Sequence, residues 1–506
     1  MTVGRKVAVA SAYAVLQRVL LRGLGLANTL ILVRLLAPED FGIVALAATL
    51  HATLDQLGQA GIGMALIRMR DPRAAHYDTA FTLNLVRGGL IAAGLLALAD
   101  WQAAFMGDAR IADVIRVLAV AVALQSLESI RMIDLQRDLH FDRLMRYYVL
   151  QKVTAIAIAL PFAFVLRNYW ALVVALPLNW LVMLPVSYCM APYRPRLSLA
   201  HWREFFDFSK WLFVGNLFQI VESQMFNVIV GRLQGVAAVG LYQVAYQVAA
   251  LPISEIAAPV RGPHYAGLAQ VQNSLAELRR HVLTGLELQW VVILPLSVGI
   301  ALTAHEITVL FLGQRWLDLV DLMALVALFA VFDAVAPLVF NLLLILNRQP
   351  LLLVVWSVLI VLRVGAVIQG VALGGLTGAG GGMLAGAVLS ALAWLVLTGR
   401  VLRVPLAALR TLWRGSVAAA AMAAVLLVLL PDPMAWFGGG AVGAVAVLGL
   451  KAGLGALVYC GVLLGCWRLA GAPAESAEAH MLRLVRPVLV RLRLLRVAAA
   501  PVPPQP

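Results

Sequence analysis

Long apolar stretches alternate with short polar breaks from residue 9 to residue 467. Each holds about the twenty residues a helix needs to cross the hydrocarbon core of a bilayer. The pattern predicts spans over 9–36, 40–66, 75–98, 111–136, 146–166, 170–191, 207–232, 236–259, 281–304, 318–345, 349–371, 376–399, 415–430 and 439–467. This is an all-α, polytopic membrane protein of about fourteen helices. Six spans precede residue 200 and six occupy 207–399, so the expected divisions are 1–200 (an N-terminal lobe), 201–405 (a C-terminal lobe), 406–470 (two extra helices) and 471–506 (a tail).

Composition sharpens this reading. Apolar residues make up 62% of the chain and charged residues 13%, against about 45–50% and 25% in soluble domains, so a water-soluble surface cannot be assembled. Cys189, Cys460 and Cys466 lie in apolar stretches without metal-ligand spacing and read as packing residues. The net charge of +14 is a topology signal. With both termini placed in the cytoplasm, 27 of the 39 Lys and Arg fall on the inner side, 6 on the outer side and 6 within spans, as the positive-inside rule requires. Inner-leaflet lipid is partner enough for such loops, and no nucleic acid is implied. The first span carries Arg18 and Arg22 and outruns a signal h-region, so a cleavable leader is not expected. Residues 475–496 read either as an amphipathic helix on the inner membrane face or as a disordered basic tail.

An internal echo appears at an offset of 198 residues. Arg34, Leu35, Gly42 and Ala47 recur as Arg232, Leu233, Gly240 and Ala245. Six spans per half would put both copies in one orientation, as a parallel repeat about an axis along the membrane normal. The segment Arg34-Leu35-Leu36-Ala37-Pro38-Glu39-Asp40-Phe41-Gly42 after a first span, followed by a polar second span, resembles the start of the bacterial polysaccharide-repeat flippases. Gly240-Leu241-Tyr242 and Ala245-Tyr246 are similar to the corresponding region of their second half. These proteins belong to the multidrug/oligosaccharidyl-lipid/polysaccharide exporter superfamily. The resemblance implies two six-helix lobes around a central cavity, alternating access, and an inner-membrane location in bacteria. It also implies undecaprenyl-diphosphate-linked oligosaccharide as cargo, with a polysaccharide polymerase and a chain-length regulator as partners.

Independently, several cations occupy the wrong solvent. The 28 residues of the first span extend about 42 Å at 1.5 Å each, which puts Arg22 near its middle and Arg18 one turn away on the same face. Arg87 is deep in the third span, and Lys152 lies nearer an inner end. A central Arg costs roughly 2.5–3.5 kcal/mol on insertion scales, so these groups need a wet cavity or an anionic partner. Three readings stand: Arg18, Arg22, Arg87 and Lys152 hold a diphosphate, which suits the planar fork of arginine; they pair with Asp55 or another acid for architecture; or the helix boundaries fall elsewhere and the groups are less deep.

Polar stripes add to this. His51, Asp55 and Gln59 recur every four residues in the second span, and Asn216, Gln219, Ser223 and Asn227 share the seventh. They either line a sugar-filled cavity or bond neighbouring helices. Asp55, Glu222, Glu255 and Asp333 are candidates for proton or sodium coupling, the alternative being counter-ions. Lys451 and Arg363 are deep, with no partner assignable from sequence. The glycine run 374–382 lacks the Lys-Ser/Thr pair of a phosphate-binding loop and predicts a short connection with close helix packing. No cofactor or metal is expected.

Two competing functions remain. A multispanning lipid-dependent glycosyltransferase could use Glu39-Asp40, yet no outer segment is large enough for an acceptor domain. His201, His264 and His305 lie scattered, without a nucleophile or metal pattern. A cation-coupled multidrug antiporter would prefer an acidic cavity, whereas the first-half interior holds more Arg than acid.

Overall fold

The computed structural model describes residues 3–58, 61–69, 71–250, 253, 268, 270–271, 273–405, 410–430, 441–473, 476–479 and 481–482, with the side chains of 3–11, 206–217 and 441 left aside. The described chain is all-α, with no strand among the described residues. The first ten helices are α1 (Val3–Leu35), α2 (Pro38–Gly58), α3 (Ile62–Arg68), α4 (Ala74–Met106), α5 (Arg110–Gln125), α6 (Met132–Arg137), α7 (Phe141–Leu166), α8 (Trp170–Met190), α9 (Trp202–Gln234) and α10 (Val236–Ala245). A π-helical turn at Tyr246–Ala250 continues α10. Then come α11 (Leu275–Leu302), α12 (Val320–Asp333), α13 (Val335–Ile345), α14 (Gln349–Leu402), α15 (Trp413–Leu429) and α16 (Ala441–Leu469). Among the described residues nine helical stretches are long and apolar enough to cross a membrane, so the chain is a multi-pass membrane protein.

Two expected spans are broken. Gly61, at φ 61°, opens α3 and interrupts the expected 40–66 helix. The expected 111–136 helix stops at Gln125, because Ser129 and Glu128 spend their polar groups sideways: Ser129 Oγ donates to the Ala191 carbonyl at 2.7 Å, and Glu128 accepts from the Tyr147 hydroxyl at 2.6 Å.

The chain forms two compact units. The first holds Met1–Val248, Phe311–Met323 and Trp356–Gly386, and the second Ala249–Leu310, Ala324–Val355 and Ala387–Pro506. Within the first, the internal echo becomes physical. A Cβ on Gly42 would overlap the Val236 carbonyl, and one on Gly240 would overlap the Pro38 carbonyl. The 198-residue offset maps Gly42 onto Gly240 and Pro38 onto Val236, so α2 and α10 meet through a reciprocal contact, as two copies related by a two-fold axis would. Ala47 and Ala245 are both fully buried in this packing. Trp316 locks the adjoining end of α1 by donating to the Val33 carbonyl at 2.9 Å.

The glycine run is a tight fold-back within α14. Gly375, at φ 58°, turns the chain in the left-handed region that glycine tolerates. The arms then close until side chains on Gly370 or Gly382 would strike the carbonyls of Gly378 or Ala366, the small-residue packing common between membrane helices.

The second unit is built on Val291, Ala418, Met422, Tyr459 and Leu463, drawn from α11, α15 and α16. The beginning of the tail joins this core: Ala477 is fully buried and Met481 packs beside it. The expected surface helix therefore starts inside the unit, and its continuation lies outside the described residues.

Candidate functional site

A cavity of ≈ 730 Å³ opens in the first unit between α1, α6, α7 and α8. From α1 it takes Gln17, Arg18, Leu21 and Arg22, which the 3.6-residue period gathers on one face. From α7 it takes Tyr148, Gln151, Lys152 and Ala155, from α8 Asn179, and from α6 Gln136. Gly25 faces Lys152 across the α1–α7 contact, where a Cβ would lie 3.6 Å from the Lys152 Nζ, an ordinary contact distance. Arg18 and Arg22 are exposed and Lys152 is half-buried. The described lining thus carries three cations, four amides and no carboxylate. The Asn179 Oδ1 is buried without a hydrogen-bond partner.

Such a surface can do one thing well. It can hold a multiply charged anion, with guanidinium forks pairing oxygens two at a time and amides satisfying neighbouring hydroxyls. Its size falls within the roughly 300–1,000 Å³ typical of small-molecule sites, so a polar headgroup fits and a long glycan would project beyond it.

Of the four cations expected together, the structure gathers three. Arg87 stands apart: its Nη1 donates to the Asp55 Oδ1 at 2.9 Å and its Nη2 to the Asn84 Oδ1 at 3.3 Å. The reason is proximity, since α2 packs along α4 and offers an acid at that level. Among the described residues, none of the expected sugar-stripe side chains lines the cavity. His51 is half-buried on α2, Gln219 is exposed, and Ser223 Oγ turns back to the Ile220 carbonyl at 3.2 Å. Asn227 is buried and accepts from Gln243 Nε2 at 3.0 Å, an interhelical bond. Gln59, Glu255 and the side chain of Asn216 lie outside the described residues.

The candidate coupling acids are occupied in their own ways. Glu222 accepts from Arg363 Nη1 at 2.7 Å and from Trp356 Nε1 at 3.1 Å. Asp333 is half-buried at the end of α12. Gln17, Gln136, Tyr148, Gln151 and Asn179 were not singled out from sequence. Their signal was present, since Gln17 adjoins Arg18, Gln151 adjoins Lys152, and Asn179 is an isolated amide in an apolar span.

The family described as polysaccharide biosynthesis protein matches residues 31–321. The succinoglycan biosynthesis transport protein ExoT of Rhizobium meliloti is 24% identical over 308 residues, covering 60% of this chain and 62% of ExoT. The chain thus spans less than two thirds of that relative. The lipopolysaccharide biosynthesis protein WzxC of Escherichia coli is 21% identical over 344 residues, covering 66% of this chain and 69% of WzxC. A solved structure of the lipid II flippase MurJ, in an inward closed conformation, superposes with a TM-score of 0.72 at 13% identity, over 91% of this chain and 99% of that one. That likeness shows the fold.

Proposed function

We propose that this chain, which belongs to the polysaccharide biosynthesis protein family, is a flippase rather than an enzyme. It would carry undecaprenyl-diphosphate-linked oligosaccharide repeat units from the cytoplasmic to the periplasmic leaflet by alternating access. The observation that supports this reading is the cavity where Arg18, Arg22 and Lys152 converge, with amides and no carboxylate in its described lining. Its mechanism follows from charge. A diphosphate lipid presents its anionic bridge at the membrane surface. The two arginines, one turn apart, take up phosphate oxygens, Lys152 adds a third cation, and Gln17, Gln151 and Asn179 replace water at the first sugar's hydroxyls. Pairing with the cations offsets the cost of desolvating the anion as it is brought to bilayer depth. The lipid tail stays in the bilayer.

The protein would sit in the bacterial inner membrane with both termini in the cytoplasm, as its basic loops favour, and would serve a polymerase and a chain-length regulator downstream. The superfamily's multidrug antiporters would need a cavity that attracts cations, and the lining here repels them. Ion coupling through Asp55 or Glu222 would have to displace Arg87 or Arg363 from its carboxylate.

Deleting the gene in its host tests the reading. The diphosphate-linked repeat unit should accumulate on the cytoplasmic leaflet, and wild-type but not Arg18→Ala/Arg22→Ala protein should clear it. If no lipid-linked intermediate builds up, the cargo is wrong; if the variant clears it, the cavity assignment is wrong.

A further inference from the structure

Away from the cavity, the first unit brings three metal-ligating side chains to one place. His76 lies in the first turn of α4, whereas His201 precedes α9 and Glu204 occupies its first turn. Their ligand atoms all lie within 4.8 Å of one another. His201 Nδ1 is 2.9 Å from Glu204 Oε1, and His76 Nε2 is 3.6 Å from Glu204 Oε2. The imidazoles stack with centres 4.2 Å apart and planes 24° from parallel. Hydrogen bonds along α4 hold this arrangement. Thr82 Oγ1 accepts from the Ser198 amide at 2.9 Å, Thr79 Oγ1 accepts from the His201 amide at 3.4 Å, and Tyr193 donates to Asp78 at 2.7 Å. The segment joining the two sequence halves is thereby laid against α4, which sets His201 over His76.

We propose that His76, His201 and Glu204 form a Zn²⁺ site. Two imidazole nitrogens and one carboxylate oxygen are a donor set that zinc favours, with a fourth position left for water. The Glu204 side chain is half exposed, which gives the ion a path from solvent. A dication between the three donors would replace a loose 3.6 Å approach with a coordinate bond.

Binding requires two local changes. The ion must lie in the plane of both rings, so the stack has to fan open. His76 Nδ1 accepts the Arg73 amide at 3.0 Å, which assigns the ring proton to Nε2. Coordination through Nε2 transfers that proton to Nδ1 and releases the Arg73 N–H to water. This hydrogen bond is exposed, so water can take its place. Both changes cost free energy and weaken binding relative to a preformed site. When bound, the ion would fasten the connecting segment to the start of α4.

The test uses full-length protein in detergent, freed of any histidine tag and stripped with a chelator. Titration with Zn²⁺ should give one equivalent bound and a higher melting temperature, and Mg²⁺, which prefers an all-oxygen shell, should give neither. His76→Ala and His201→Ala should each abolish the shift, and Glu204→Gln should weaken binding at least tenfold. His201→Asn retains a hydrogen bond to Glu204 but is a poor zinc ligand, so it should keep the metal-free melting temperature and lose the metal response. Co²⁺ should give visible absorption bands that the His76→Ala/His201→Ala variant lacks. Absence of stoichiometric uptake, or uptake unchanged in that double variant or in His201→Asn, would overturn the proposal in favour of a hydrogen-bonded cluster.

Discussion

Arg18 and Arg22 in the first unit and Arg414 and Lys451 in the second are all cations on apolar helices, yet they meet opposite surroundings. The first pair opens onto a cavity with amides around it. The second pair is sealed. Arg414 Nε lies 3.1 Å from Glu478 while Nη2 donates to Glu287, with the three side chains 4%, 1% and 6% exposed. Lys451 Nζ lies 2.5 Å from Glu306 and 3.1 Å from the Leu302 carbonyl. Under the proposed function, a charge inside an apolar helix serves binding where the structure keeps space beside it. Where a carboxylate fills that space, the charge holds helices together, and here it also holds the tail, since Glu478 belongs to residues 476–479.

Substitutions can break this contrast. The largest effect should come from the sealed side. Arg414→Ala strands two buried carboxylates, and truncating one partner of a buried ion pair costs about 3–5 kcal/mol, read as a lower melting temperature in detergent. Adding Glu287→Gln and Glu478→Gln should recover most of that loss, and an undiminished melting temperature in Arg414→Ala would show that the cluster is not sealed. Next come the open arginines. Arg18→Ala or Arg22→Ala should each remove charge-assisted bonds worth about 1.5–3 kcal/mol, which is roughly a 10- to 150-fold weaker hold on a diphosphate lipid, with a smaller loss of melting temperature than Arg414→Ala. A drop in stability equal to that of Arg414→Ala would erase the distinction.

Arg87 and Asp55 sharpen it from between, being paired but only half-buried. Arg87→Ala should cost about 1 kcal/mol of stability, in the range of accessible ion pairs. A double-mutant cycle with Asp55→Ala should return a coupling of about that size. Loss of export far beyond the loss of folded protein would return Arg87 to the transport path. The smallest effect belongs to Asn179→Leu. Its unpartnered buried oxygen makes the change about neutral for folding, while binding of the first sugar should weaken by about 0.5–1.5 kcal/mol.

The elements and the shared face of Arg18 and Arg22 were legible in the chain, because both depend on local spacing, whereas the amides beside them were not. Apolar runs mark helices, and the i, i+4 spacing of Arg18 and Arg22 fixes a shared face whatever lies opposite. Pairing across the fold was not legible. Arg87 reaches Asp55 only because α2 packs on α4, and nothing near Lys451 in sequence announces Glu306. His76 and His201 are ordinary loop and helix-end residues until the connecting segment is laid along α4. Glu478 sits in a stretch whose Leu, Val and Arg pattern suits a membrane surface, and what draws its first turn inward is Arg414, far back in the chain.

The reciprocal seat of Gly42 and Gly240 bears on how such a chain can evolve. Each stretch's backbone oxygen fills the hollow left by the other's missing methyl, so a side chain at either glycine pushes the opposite helix away and opens both seats at once, and the two positions can change only together.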